Sequence, residues 1–210
     1  MGLEVRCSED RDRWEWRISQ DGVFTVASTK NWIDNIVLPS SVHSTRWCDW
    51  VPRKVNIFVW RVMWKRLPTR DMLQSRGINV SSVICPICSE EEESVNHVLG
   101  SCVVANMVWR LVFRWMQLQG VDVSGPEAVL EWMDGVKVTA TTKKLIEAVI
   151  CTTLWFLWRF RNDIVYDGRL IRREVIFDSI REISFCWCSS RQSKIRISWT
   201  EWLQNPLNCV

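Results

Sequence analysis

Four side chains constrain this chain more than any others: Cys85 and Cys88 with two residues between them, then His97 and Cys102. Two cysteines at that spacing reach one ion from a tight turn. A histidine and a cysteine five apart can close the tetrahedron from a following short helix. Three thiolates and one imidazole are soft to borderline donors, a set that selects zinc over hard cations and leaves no coordination position for water. A site of that kind is a structural staple, not a reaction centre. The competing reading makes the cysteines small core residues and His97 a hydrogen-bonded helix histidine. Clustering favours the metal, because three of nine cysteines and one of only two histidines fall between positions 85 and 102.

The rest of the chain supplies the core such a staple needs. At 210 residues and 47 % apolar content it is long enough for one good core or two small ones. The opening segment Met1–Arg17 is dense in charge and lacks the apolar stretch of a secretory signal. Nine cysteines without such a signal suit a reducing compartment, so an intracellular location, nuclear or cytoplasmic, is expected. The most apolar segment, Leu145–Trp158, is short, contains Glu147 and is fenced by Lys143, Lys144, Arg159 and Arg161. It reads as a buried helix and not as a membrane span. Cys186 and Cys188 read as core.

Periodicity predicts a mainly helical fold with a small β-hairpin at its start. Trp14, Trp16 and Ile18 alternate with polar residues, Asp21-Gly22 supplies a turn, and Phe24 and Val26 resume the alternation. A helix over Ser28–Asn35 would cover that hairpin with Trp32, Ile33 and Ile36. His43 falls in an expected loop, Leu38–Ser44. Pro52 then opens a helix with Val55, Phe58, Val59, Val62 and Met63 on one face, ending before Leu67-Pro68. Thr69 is placed to cap a short helix that stops at Gly77. Ser94 is placed to cap the turn bearing His97, and Glu90–Glu93 just upstream read as a solvated loop. A further helix follows Cys102, with Val104, Val108, Leu111, Val112 and Trp115 inward.

The stretch from Gly120 to Pro126 is the expected boundary between a zinc-binding domain, 1–119, and a helical C-terminal region, 126–210. The second part reads as a small bundle: helices near Glu127–Met133, Thr142–Tyr166 and Leu170–Cys188, then a tail at Trp199–Trp202.

Between Val51 and Arg76 stand seven basic residues and one acid, Asp71, so this segment carries +6 while the whole chain carries +3. Arg53, Lys54, Arg61, Lys65, Arg66 and Arg70 are candidate contacts to nucleic-acid phosphates. The alternative is a solvated helix face. A second cluster, Arg159, Arg161, Arg169, Arg172 and Arg173, is open to the same two readings.

Laid end to end, these pieces resemble the zinc-binding domain found downstream of the reverse transcriptase in plant non-LTR (long interspersed) retrotransposon proteins. The resemblance runs through Trp16…Gly22-Val23-Phe24, Trp47…Trp50-Val51-Pro52-Arg53-Lys54, Leu67-Pro68-Thr69…Arg76-Gly77, Cys85-Pro86-Ile87-Cys88…His97…Cys102 and Val108-Trp109. The segment from Leu154-Trp155 to Arg161-Asn162-Asp163 also looks like the part of such proteins that leads toward a ribonuclease H region. The resemblance implies a parent RNA-directed DNA polymerase as partner. The residues argue against polymerase chemistry in this chain, because two-metal phosphoryl transfer needs a carboxylate cluster and there is no Asp-Asp pair. The expectation is a noncatalytic zinc module that contacts RNA or DNA. The alternative is a structural or protein-interaction domain, or a retroelement remnant, in which zinc only stabilises the fold.

Overall fold

Helical periodicity decides nearly all of the described architecture. The computed structural model describes Trp16 and residues 23–37, 46–167, 173–192 and 197–209. The chain divides into two units, Met1–Ser44 and Thr45–Val210.

In the first unit, helix α1 spans Val26–Val37. Here the structure corrects the expected hairpin. Its first arm and its Asp21-Gly22 turn lie outside the described residues, but Phe24 and Thr25 carry no strand and Val26 already opens the helix. Local capping explains the difference: the Thr25 hydroxyl accepts from the Ser28 N–H at 3.0 Å. The Ser28 and Thr29 hydroxyls donate back to the Thr25 carbonyl. A side chain that satisfies the free N–H groups of a first turn outweighs a short alternation. Trp16 and Phe24 do meet, edge to face at 4.9 Å. Trp32, Ile33 and Ile36, expected on an inner face, are exposed. His43 lies outside the described residues.

In the second unit the order is α2 (Arg53–Met63), α3 (Arg70–Ser75), a π-helical turn (His97–Ser101), α4 (Val103–Trp115), α5 (Pro126–Gly135), α6 (Ala140–Asn162), a second π-helical turn (Asp163–Asp167), α7 (Arg173–Arg191), α8 (Trp199–Gln204) and a closing 3-10 turn (Pro206–Cys209). No strand occurs among the described residues; one isolated antiparallel bridge joins Ile84 to Glu92.

Helix α6 is the axis of this unit. Leu145, Ile146, Val149, Ile150, Leu154 and Leu157 are all fully buried and cover more than one face, as expected of a helix surrounded by protein. Its start is capped by Thr139, whose hydroxyl accepts from the Thr142 N–H at 3.1 Å. It packs against α2, α4 and α5 upstream and α7 downstream. The stretch 120–126, expected as a domain boundary, therefore lies inside one unit with a shared core. No described helix is long and apolar enough to cross a membrane.

Several local expectations hold with adjustments. Val55, Phe58, Val59 and Val62 of α2 are buried as its period predicts, with Pro52 as the residue preceding the helix and not its first member. Helix α3 ends where expected. Gly77 adopts φ +76° and donates to the Gln74 carbonyl, while the Ile78 N–H reaches Leu73, which closes the helix with paired reverse bonds. Cys188 is buried but Cys186 is exposed, so only one of that pair joins the core. Asn56, passed over in the sequence, is buried and clamps the Cys48 backbone from both sides, at 2.9 and 3.0 Å.

Candidate metal centre

The four residues singled out by spacing come together. The thiol sulfurs of Cys85, Cys88 and Cys102 and a ring nitrogen of His97 all lie within 4.8 Å of one another. A tetrahedral zinc with Zn–S near 2.3 Å sets sulfurs about 3.8 Å apart, so a small contraction would complete the site. The Cys88 sulfur and His97 Nε2 are already 3.3 Å apart. Donor type, number and spacing therefore fit a closed structural zinc.

Two pieces of backbone hold this quartet. Residues 83–93 fold back on themselves: the Cys85 N–H donates to Glu91 at 2.7 Å, the Glu93 N–H to Val83 at 2.8 Å, and the Ser89 N–H to Cys85 at 2.9 Å. Ser89 takes φ +60° at the tip, which turns both cysteines inward. The second piece is the turn His97–Ser101. Residues five apart on an α-helix point about 140° away from each other. A π-helical turn brings them round, and the Cys102 N–H donates to the His97 carbonyl at 2.8 Å. Ser94 starts this turn as expected, its hydroxyl accepting from the His97 N–H at 3.1 Å. The Leu99 carbonyl accepts from the buried Trp109 indole at 2.8 Å.

Contacts within and beside the quartet orient its donors. The Glu91 carboxylate stands 2.9 Å from His97 Nδ1, which leaves Nε2 to face the sulfurs. A hydrogen bond between Cys85 and Cys102 pushes the Cys85 thiol up and draws the Cys102 thiol down, as when a thiol donates to a thiolate. A bound cation would displace the shared proton.

The acidic run next to the site is not uniformly solvated, which corrects the sequence reading. Glu90, Glu91 and Glu92 are exposed, but Glu93 is fully buried. Its carboxylate takes a forked pair of bonds from Arg161, at 2.6 and 3.0 Å. It also accepts from the Arg70 backbone N–H at 3.3 Å, and Glu93's carbonyl accepts from the Asp71 N–H at 3.3 Å. Glu93, and not Thr69, thus caps α3. A carboxylate suits a helix start better than a hydroxyl because the helix dipole favours negative charge there. Burial pulls the Arg161 guanidinium down, and the bonds from Glu93 and Tyr166 more than offset it, so it stays charged.

With this geometry in place, residues 24–109 match the family model described as zinc-binding in reverse transcriptase. Over those residues the chain is similar to that domain. Its metal quartet and its folded-back 83–93 segment both fall inside the matched residues. A protein of Arabidopsis thaliana named "Putative ribonuclease H protein" is 27 % identical over 157 residues, covering 72 % of this chain and 25 % of that protein. The chain therefore spans about a quarter of that relative's length. No solved structure matches.

The basic residues expected to contact phosphates divide into two groups. Arg53, Lys54, Arg61, Lys65 and Arg66 are exposed. Lys65 lies 3.8 Å from Glu127, and the Arg66 guanidinium rests over Trp60 and Trp64 at 5.6 and 5.7 Å. Arg70 is turned inward: its Nε is 3.5 Å from Glu93 and its guanidinium donates to the Ile84 carbonyl. In the second cluster Arg159 is exposed and Arg161 is buried. Arg169 and Arg172, and the side chain of Arg173, lie outside the described residues.

Proposed function

We propose that this chain is a noncatalytic module in which Cys85, Cys88, His97 and Cys102 hold one zinc, and that it contacts RNA or DNA on behalf of a parent RNA-directed DNA polymerase. The observation that carries the metal assignment is the quartet itself, four soft or borderline donors that fill a tetrahedron and leave no position for a reacting water. The nucleic-acid reading is supported by five exposed cations of α2 and its C-terminal flank, with few acids among them. Arg70 drops out of the contact set, because its guanidinium is committed to Glu93 and Ile84.

Metal content by mass spectrometry, paired with filter binding of single-stranded RNA at two salt concentrations, tests both halves. One zinc per chain and salt-sensitive binding are expected. Reversing the charge of Arg53, Lys54 and Arg61 together should weaken binding and lower the log–log salt slope by about 2, since each lost phosphate contact on a single strand removes roughly 0.7. A folded, zinc-free protein would overturn the metal assignment. One zinc without any RNA binding would favour the scaffold reading, for which the exposed Phe24, Trp32, Ile33 and Ile36 of the first unit are the supporting surface.

A further inference from the structure

A groove of about 680 Å³ runs between α2 and α6, away from the metal quartet. Its walls carry three cations, Lys54, Arg61 and Arg159, against one carboxylate, Asp163, which lies 3.9 Å from Arg159. Its aromatic surfaces are Trp155, half-buried, and Tyr166, which is 73 % exposed. The floor is rigid, because Phe58 meets Trp155 edge to face at 5.4 Å and stacks on Trp158 at 6.4 Å. The Lys54 ammonium stands 5.5 Å from the Trp155 ring centre, so charge and stacking surface already lie side by side.

From this juxtaposition we infer that the α2–α6 groove takes a segment of single-stranded nucleic acid, with bases on Trp155 and Tyr166 and phosphates on Lys54, Arg61 and Arg159. It rests on the nucleic-acid reading above, and adds the place, the strandedness and three residues, Trp155, Arg159 and Tyr166, that lie beyond the basic run of α2. Charge complementarity selects a polyanion, and exposed rings select one whose base faces are free. A duplex hides those faces within its own stack, whereas an unpaired strand offers one with every nucleotide.

The test uses the full zinc-loaded chain and three probes: a single-stranded oligouridine, a duplex of equal length, and a base-free strand of equal charge. The single strand should bind at least tenfold more tightly than either of the others. Tyr166→Ala should weaken it roughly fivefold to a hundredfold, the usual range for one base on one ring. Arg159→Glu should weaken it and flatten its salt dependence. Both side chains are largely exposed, so both variants should keep one zinc per chain, and Arg159→Glu should match the parent's melting temperature. Tyr166→Phe, which keeps the ring and gives up the phenol, should bind like the parent and so separates stacking from the phenol's effect on Arg161. An iodouracil-substituted strand should photocrosslink to Trp155 or Tyr166. If both variants bind like the parent while reversal of Arg53, Lys54 and Arg61 abolishes binding, the groove is overturned and the nucleic-acid reading stands. Equal affinity for the base-free strand also overturns it. If no nucleic-acid probe binds but a labelled acidic peptide does, the groove belongs to a protein partner; if neither binds, both readings fall together.

Discussion

Truncating Glu93 to alanine would leave the Arg161 guanidinium, only 2 % exposed, without the carboxylate that now meets it at 2.6 and 3.0 Å. Removing one member of a buried, hydrogen-bonded ion pair costs about 3–5 kcal/mol, mostly from stranding the other charge. For a protein of 150–250 residues each kcal/mol moves the melting temperature by about 2–4 °C, so Glu93→Ala should lower it by roughly 6–20 °C. Arg161→Met should also destabilise, by less, because Arg70 stays 3.5 Å from the carboxylate. Joining Glu93→Leu with Arg161→Met removes both charges at once, and the double variant should be more stable than the sum of the single losses predicts. Urea denaturation of all four proteins at saturating zinc measures this coupling directly. A loss under about 1 kcal/mol in Glu93→Ala, or strict additivity in the cycle, would refute the claim that this pair locks the metal-bearing segment to α6.

Gly100 lies in the turn between His97 and Cys102, and a Cβ there would sit 2.7 Å from both the Gly125 Cα and the Val123 carbonyl oxygen. Gly100→Ala should therefore destabilise by about 1–3 kcal/mol and weaken zinc retention against a chelating dye; parent-like retention would show that the turn adjusts freely. The Glu147 carboxyl is raised by burial, with Arg46 only partly opposing it. Its ionisation thus opposes folding: the favourable share is present in acid, and it is lost as pH rises through the raised value. Glu147→Gln should match the parent near pH 4 and become the more stable protein toward pH 8 by thermal melts, and a gap that closes with rising pH would contradict this. The Thr69 hydroxyl is buried without a hydrogen-bond partner among the described residues. Thr69→Val should leave stability unchanged or raise it by about 1 kcal/mol, whereas a marked loss by urea denaturation would reveal a hidden partner.

The sequence by itself settled what depends on near neighbours. The cluster of Cys85, Cys88, His97 and Cys102 was legible because a candidate metal site drawn from eighteen residues leaves its donor types and spacing in plain view. The inward face of α2 was legible from its period, and the end of α3 at Gly77 from glycine's tolerance of positive φ. The hairpin failed on another local signal, since Thr25 and Ser28 cap a helix start where alternation suggested a strand. Tertiary structure alone decided which charges go inside. Glu93 looked like its three neighbours, and Arg161 like one more surface base, yet they pair across 68 residues of chain. Nothing periodic marks such a pair, because its energy comes from mutual desolvation, which exists only once α6 has packed against the metal-bearing segment. The same packing sets Arg159, Trp155 and Tyr166 beside Lys54 and Arg61 in one groove.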